Sequence, residues 1–418
     1  MKRITSGFDF QEALLLATFS QQAYEIFKYD DGTIDDIELR GVYNSIYKGQ
    51  DWKFAHSIRS DAQSIRGFIV KKEGFEQYSV VIQGSVMSDG KAFDLTDAVN
   101  VMKWDLVDYG SVTNKRIKIL GIVEESLNAV WDEIDIFFKV ILGKLKEKDF
   151  TKIYEMSHER QFACITAMAD AGQYRLGEDF FISCRELIEE ALEDGIIGND
   201  DDLVKILDFQ KKRLLSLEKV DETIDVYVTG HSLGAAVALL CILELKAHFP
   251  LDMILKLYSV GTPKIGNQEF ADYYKTKIGK GMSYRIHNIL DPIASSPPSP
   301  PFPLDALVGN GLRIGDFYIG NLAHSGEDYT VMGLGSQGVS LDFGGAISLF
   351  GGIPFPHSPD TYIQLLEEEQ EKWENWSRPL ENMMTNFMKG MFDGQTAELR
   401  EELHKLKKEI EELKLKNS

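Results

Sequence analysis

"VYVTGHSLGAAVALL", residues 226–240, contains Gly230-His231-Ser232-Leu233-Gly234, a G-x-S-x-G pattern. Two readings compete for Ser232: a nucleophile held at a sharp turn, or an ordinary serine between glycines. The pattern alone is a weak signal, so its flanks decide. Ahead of it, Ile224 to Thr229 is β-branched and aromatic, as in a short buried strand. Behind it, Leu233 to Leu245 is rich in Ala and Leu and has no Pro, as in a helix. Strand, tight turn and helix is the context a nucleophile elbow requires. The turn is so close that the residues two before and two after the serine must be small. The amide of Leu233 would open the helix and carry no intrahelical bond, so it could face an anion formed near Ser232.

The rest of the chain sets the frame. Its 418 residues allow one large domain with appendages or two domains. A hydrophobic content of 44% and an aromatic content of 11% are those of a globular protein. The net charge of −21 argues against nucleic acid as a partner, and against electrostatic docking on anionic lipid. It leaves apolar contact with a membrane or micelle surface open. Cys164, Cys184 and Cys241 lie in apolar helical patterns and read as buried free thiols. The N-terminus, "MKRITSGFDFQEALLLATFS", lacks a continuous apolar core and a cleavage site. With the free thiols, this gives the expectation of a cytoplasmic protein, with peripheral membrane contact allowed. No His/Cys/Asp cluster has metal-ligand spacing, so no metal or cofactor is expected.

Residues 10–30 read as a helix and residues 67–85 as two strands joined by a turn. Residues 116–222 are almost continuously helical in pattern. Further strands lie within 253–267 and 282–304, with a helix after His357. Strands alternating with helices imply an α/β fold with a mainly parallel sheet.

A serine hydroxyl needs a base, most often a histidine oriented by a carboxylate. On sheets with an elbow the chain order is Ser, then acid, then His. His404 lies in a charged tail, and His287 sits inside an apparent strand ahead of the best acid. His324 and His357 remain. The best acid is Asp291, which ends a strand just before Pro292, where sites of open α/β sheets form.

With these residues in place the chain resembles the class 3 lipases, the fungal-lipase-like α/β-hydrolases. "SVGTPKIGNQEFADYY" is similar to that family's strand and turn, and "RIHNILDPIASSPP" to the segment carrying its catalytic Asp. "AHSGEDY" is similar to a segment whose histidine is not the base, and "VVIQGS" to the strand ending in Arg-Gly-Ser or Arg-Gly-Thr. The resemblance covers roughly residues 10–133 and 223–370, in family order. It implies a catalytic triad of Ser232, Asp291 and His357, and an oxyanion hole from Ser85 and Leu233. The position of His357 agrees, since it follows the Gly/Pro run "GGIPFPH" and precedes a helix start. Gln83, Ala235, Ala236 and Ala294 depart from the usual pattern without touching the triad.

The expected organisation is therefore an α/β-hydrolase core over 1–133 and 223–378, interrupted by a helical insertion over 134–222. Residues 379–418 would form an amphipathic segment and a coiled-coil tail. The segment 86–107 stands where the family has its lid, although a core helix accounts for it equally well. The run "FGGAISLFGGIPF", residues 343–355, fits a membrane-touching rim or an apolar loop under the insertion. In the tail Leu399, Leu403, Leu406, Ile410 and Leu413 recur at alternating spacings of four and three. That pattern predicts a parallel homo-oligomer, set against a helix laid on the core. The expected activity is hydrolysis of an acyl lipid ester, as a triacylglycerol lipase or an A1-type phospholipase or galactolipase. An esterase or thioesterase for soluble acyl compounds and a non-catalytic lipase-like scaffold are the alternatives.

Overall fold

The computed structural model describes residues 3–27, 41–43, 51–60, 65–84, 106–110, 112–114, 116–193, 200–291, 293–294, 312–314, 317–319, 322–331, 357–372, 374 and 408. Its centre is a seven-stranded sheet in the order β1-β2-β3-β6-β7-β9-β13. The strands are β1 (Trp52–Ser60), β2 (Ile65–Lys72), β3 (Gln77–Ile82), β6 (Ile224–His231), β7 (Met253–Val260), β9 (Ser283–Asn288) and β13 (Glu327–Val331). β1, β2 and β3 pair antiparallel. From β3 onward every pairing is parallel. The expected mainly parallel α/β sheet is present, with an antiparallel edge. A smaller sheet joins the short strands β4 (Leu106–Asp108), β5 (Lys118–Leu120), β8 (Gly266–Asn267) and β12 (Leu322–Ala323). Leu106 and Val107, read from sequence as the end of the candidate lid, are in β4, paired with Leu120 and Ile119. β10 (Leu312–Ile314) and β11 (Phe317–Ile319) form a separate pair.

Side chains alternate along each strand, and both faces of the sheet are covered. Val226 and Val228 of β6 join one core, with the helices Gly121–Ile141 and Leu233–His248. Tyr227, between them, joins the other, with the N-terminal helix Phe10–Ile26 and Leu365 and Leu366 of the helix over 359–372. Burial on both faces explains why Val226, Tyr227 and Val228 follow one another without a polar residue between them. The N-terminal helix starts at Asp9, whose carboxylate accepts the amides of Gln11 and Glu12 at 2.9 and 3.2 Å. A fully buried Lys256 pins that helix to the sheet, donating to the Gly7 carbonyl at 2.7 Å and to Glu12 at 2.5 Å.

Helices Gly121–Ile141, Glu147–Tyr154, His158–Leu176, Glu178–Glu193 and Asp200–Leu214 occupy the stretch that reads as helical. They meet the sheet over a buried ionic cluster. His56 of β1 sits 2.9 Å from Asp170 and 3.4 Å from Glu133, and all three are buried. Burial alone would lower the His56 pKa, but hydrogen bonds and charge from the two carboxylates outweigh it and push it up to about 10. The ordinary value is about 6.5, so this ion-pair contribution is complete below that pH and fades as pH rises toward the folded-state value. Removing one partner of a buried ion pair costs about 3–5 kcal/mol. His56→Gln should therefore lower the melting temperature strongly at pH 6, and the gap to wild type should narrow as pH approaches 10. A gap independent of pH in thermal melts would refute the ion-pair account.

The three cysteines are buried and free, as expected. Among the described residues no helix is long and apolar enough to cross a membrane. The candidate lid up to residue 105, the rim at 343–355, Ser85 and the heptad tail apart from Lys408 lie outside the described residues.

Candidate active site

The site forms where β6, β7 and β9 end, at the carboxyl edge of the parallel strands. Ser232 follows β6 and precedes the helix Leu233–His248. Its φ of 59° and ψ of −126° make it the only non-glycine residue with positive φ among the described residues. Such a conformation costs about 1–3 kcal/mol and persists only where its surroundings enforce it. The flanking glycines have a steric reason. A Cβ on Gly230 would lie 2.5 Å from the Gly234 carbonyl group, and one on Gly234 would overlap the Ile82 carbonyl oxygen. The turn therefore closes against β3 only with glycine at both places. Leu233 opens the helix, so its amide is among the first-turn donors that lack an intrahelical acceptor.

The structure brings Ser232, His357 and Asp291 together. Ser232 Oγ lies 2.8 Å from His357 Nε2, and His357 Nδ1 lies 2.6 Å from Asp291 Oδ2. Ser232, His357 and Asp291 are respectively 5%, 2% and 1% exposed, so the chain of bonds runs in a dry site. A carboxylate only accepts, so Nδ1 carries the proton and Nε2 is left bare to accept from the serine hydroxyl. Asp291 is held on every side. Oδ2 also accepts from the Tyr362 hydroxyl at 2.6 Å, and Oδ1 accepts from the amides of Ile293 and Ala294 at 2.8 and 3.1 Å. Burial alone would raise its pKa, but charge on His357 and the hydrogen bonds from His357, Tyr362 and Ala294 hold it below the ordinary value. Tyr362 is itself fixed by the Asn288 amide, which donates to its oxygen at 3.1 Å.

His324 lies elsewhere, at the junction of β12 and β13. Burial first, then the charges of Arg285, Lys264 and His287, push its pKa down to about 3, and its Nδ1 has no hydrogen-bond partner. His287 is in β9, as its sequence suggests. Sequence reasoning did not find Tyr362, Tyr24 or His231. Tyr24 OH lies 2.9 Å from His231 Nδ1, and His231 Nε2 lies 2.6 Å from the His357 carbonyl oxygen. The available signal for His231 was its place inside the elbow, between Gly230 and Ser232.

A mainly parallel sheet that feeds a strained serine turn into a helix is the arrangement of the α/β-hydrolase fold. Residues 186–300 match the model of the class 3 lipases, Lipase (class 3). The match includes Ser232 and Asp291 and stops short of His357. Among curated proteins the chain is 36% identical over 89 residues to the secreted mono- and diacylglycerol lipase 1 of Fusarium solani. That stretch is 21% of this chain and 25% of the relative. It is 37% identical over 76 residues to the secreted mono- and diacylglycerol lipase LIP1 of Malassezia globosa, 18% of this chain and 23% of that one. The chain thus spans about a quarter of the length of the curated relatives it matches. Among solved structures, a Rhizomucor miehei lipase propeptide complex is 18% identical with a TM-score of 0.41, covering 79% of this chain and 72% of that one. A triacylglycerol lipase from Penicillium expansum is 17% identical with a TM-score of 0.36, covering 79% and 82%.

The cytoplasmic expectation is corrected by the relatives. The three matched curated proteins are all named as secreted. The reasoning from three free thiols was unsound because buried thiols are shielded from oxidants wherever the protein resides.

Proposed function

We propose that this chain is a serine carboxylic ester hydrolase acting on acyl lipids, with Ser232 as nucleophile, His357 as base and Asp291 as its orienting acid. The observation that carries the reading is the unbroken Ser232–His357–Asp291 hydrogen-bond chain at the tip of a strained elbow. In the reaction Ser232 Oγ attacks the ester carbonyl while His357 Nε2 takes its proton. The tetrahedral oxyanion is stabilised by the Leu233 amide and, as the family resemblance implies, by Ser85. His357 then returns the proton to the leaving alcohol, and an acyl-enzyme forms. Water, deprotonated by the same nitrogen, releases the fatty acid and restores Ser232. The names of the relatives favour acylglycerols as substrate and an extracellular setting. Within this reading residues 134–222 are an insertion in the hydrolase core.

Lipid contact has one further support. Ile289 and Leu290, next to Asp291, are 57% and 46% exposed, an apolar pair at the rim of the site. Replacing both with serine should raise KM for micellar diacylglycerol several-fold and leave turnover of a short soluble ester within about twofold, because only the binding at the surface is lost. Equal loss on both substrates would favour the soluble-ester reading. A panel of acylglycerols, phospholipids, galactolipids and soluble esters tests the function itself. Absence of turnover on every member would defeat it.

A further inference from the structure

His231 lies between Gly230 and Ser232 in the elbow, is 3% exposed, and has both ring nitrogens engaged. Its surroundings fix where its proton lies. Burial first, and the neighbouring His357 second, push its pKa down to about 3, so the ring is neutral and has one N–H. The His357 carbonyl oxygen, 2.6 Å from Nε2, can only accept. Nε2 therefore bears the hydrogen and Nδ1 is bare. Tyr24 OH, 2.9 Å away, must then donate to Nδ1. The Tyr24 oxygen packs against Gly84, two residues beyond β3. A Cβ on Gly84 would overlap that oxygen, so the close approach depends on glycine there.

The donors run in one direction: Tyr24 O–H to His231 Nδ1, and His231 Nε2–H to the His357 carbonyl. We infer that Tyr24 and His231 are positioning residues that hold the base, His357, in register with Ser232 by locking the Nε2–H tautomer of His231. The lock matters because His357 lies in a turn just ahead of the helix over 359–372. Its backbone carbonyl is tied to His231, the residue adjoining the nucleophile. The two imidazoles lie 4.6 Å apart, centroid to centroid. If the proton moved to Nδ1, the Nε2 lone pair would face the carbonyl oxygen and repel it, shifting the base away from Ser232. A misplacement of about 1 Å in a catalytic constellation costs on the order of 10²-fold in rate.

This inference rests on the hydrolase reading, and its test separates the two. The full chain, labelled with ¹⁵N-histidine, is examined by imidazole NMR without substrate, using His231→Gln to assign the His231 signals. Kinetics are measured on an ester that wild type turns over, with thermal melts to confirm folding. Wild type should show His231 protonated at Nε2. Tyr24→Phe removes the donor to Nδ1, leaving the ring held through Nε2–H alone, and should let it tilt, lowering kcat roughly 10- to 100-fold with KM nearly unchanged. His231→Gln places an amide N–H where Nε2–H lies, and should keep kcat within about tenfold of wild type. His231→Leu, which has no donor, should lose about 10²-fold. A purely structural role would lower the melting temperature without this order of rates. An Nδ1–H tautomer in active wild type overturns the inference, as does Tyr24→Phe or a folded His231→Leu at the wild-type kcat. Should His231→Leu not fold, the wild-type tautomer and Tyr24→Phe decide. Wild type with the Nε2–H tautomer but no turnover of any ester sinks the hydrolase reading, and the positioning role with it.

Discussion

Ser232→Ala is expected to lower turnover of an acyl ester by roughly 10⁵- to 10⁶-fold, the scale seen when the nucleophile of a triad is removed. The size follows from geometry. Ser232 Oγ stands at the tip of the elbow, 2.8 Å from His357 Nε2. Without it no acyl-enzyme forms, and what survives is the residual effect of substrate binding and the oxyanion donors. Folding should be little affected. The hydroxyl makes one side-chain bond, and alanine keeps the Cβ, while the strained backbone is imposed by the contacts of Gly230 and Gly234. A serine-directed fluorophosphonate should label wild type at Ser232 and leave Ser232→Ala unlabelled. Peptide mapping and turnover of the same preparations check both outcomes. Wild-type turnover in the alanine variant would end the hydrolase mechanism.

Much of this site was legible before any coordinates because it depends on local rules. The elbow needs glycine on both sides of the serine, and a strand before it and a helix after. Those demands fall on residues 224–245, where β-branched and helix-forming residues change over within one turn. Asp291 was legible because Asp-Pro marks a turn near a strand's end, although β9 stops at Asn288, three residues before it. The choice between His324 and His357 needed the family resemblance, since either histidine follows the acid in sequence. The unread parts depend on distant partners. β1 is buried on both faces and shows no alternation, so Trp52–Ser60 carries no clear strand pattern. β8 and β12 are two residues long, too short for periodicity to register. His56, Glu133 and Asp170 come from three separate elements, and nothing in the local sequence of any one announces the other two. Tyr24 lies 207 positions from its partner His231, and Tyr362 lies 71 from Asp291. Each looks like an ordinary helix residue until the sheet assembles beneath it.

Asp291→Asn should cost about 10⁴-fold in kcat while leaving the fold intact, because an amide at this position can stabilise the wrong histidine tautomer. Asp291 now accepts at Oδ2 from His357 Nδ1–H and from Tyr362, and at Oδ1 from two backbone amides. The backbone amides can only donate, so an asparagine turns its carbonyl oxygen toward them and its NH₂ toward His357. That NH₂ donates to Nδ1, drives the ring proton to Nε2, and removes the lone pair that must accept from Ser232. The wild-type carboxylate keeps its charge at neutral pH, since the contacts that outweigh burial hold its pKa below the ordinary value. Its contribution is therefore complete above about pH 3.9 and lost only as pH falls through the depressed folded-state value. His357→Ala removes the base itself and should cost at least as much as Asp291→Asn, on the order of 10⁴- to 10⁶-fold. His324→Ala should leave kcat within a few-fold, because His324 sits at the β12–β13 junction while His357 occupies both its acid and its serine partner. Steady-state kinetics on the three variants, beside thermal melts, separate a lost base from a lost fold. A folded His357→Ala at the wild-type rate, or a folded His324→Ala reduced by 10⁴, would assign the base to the other histidine.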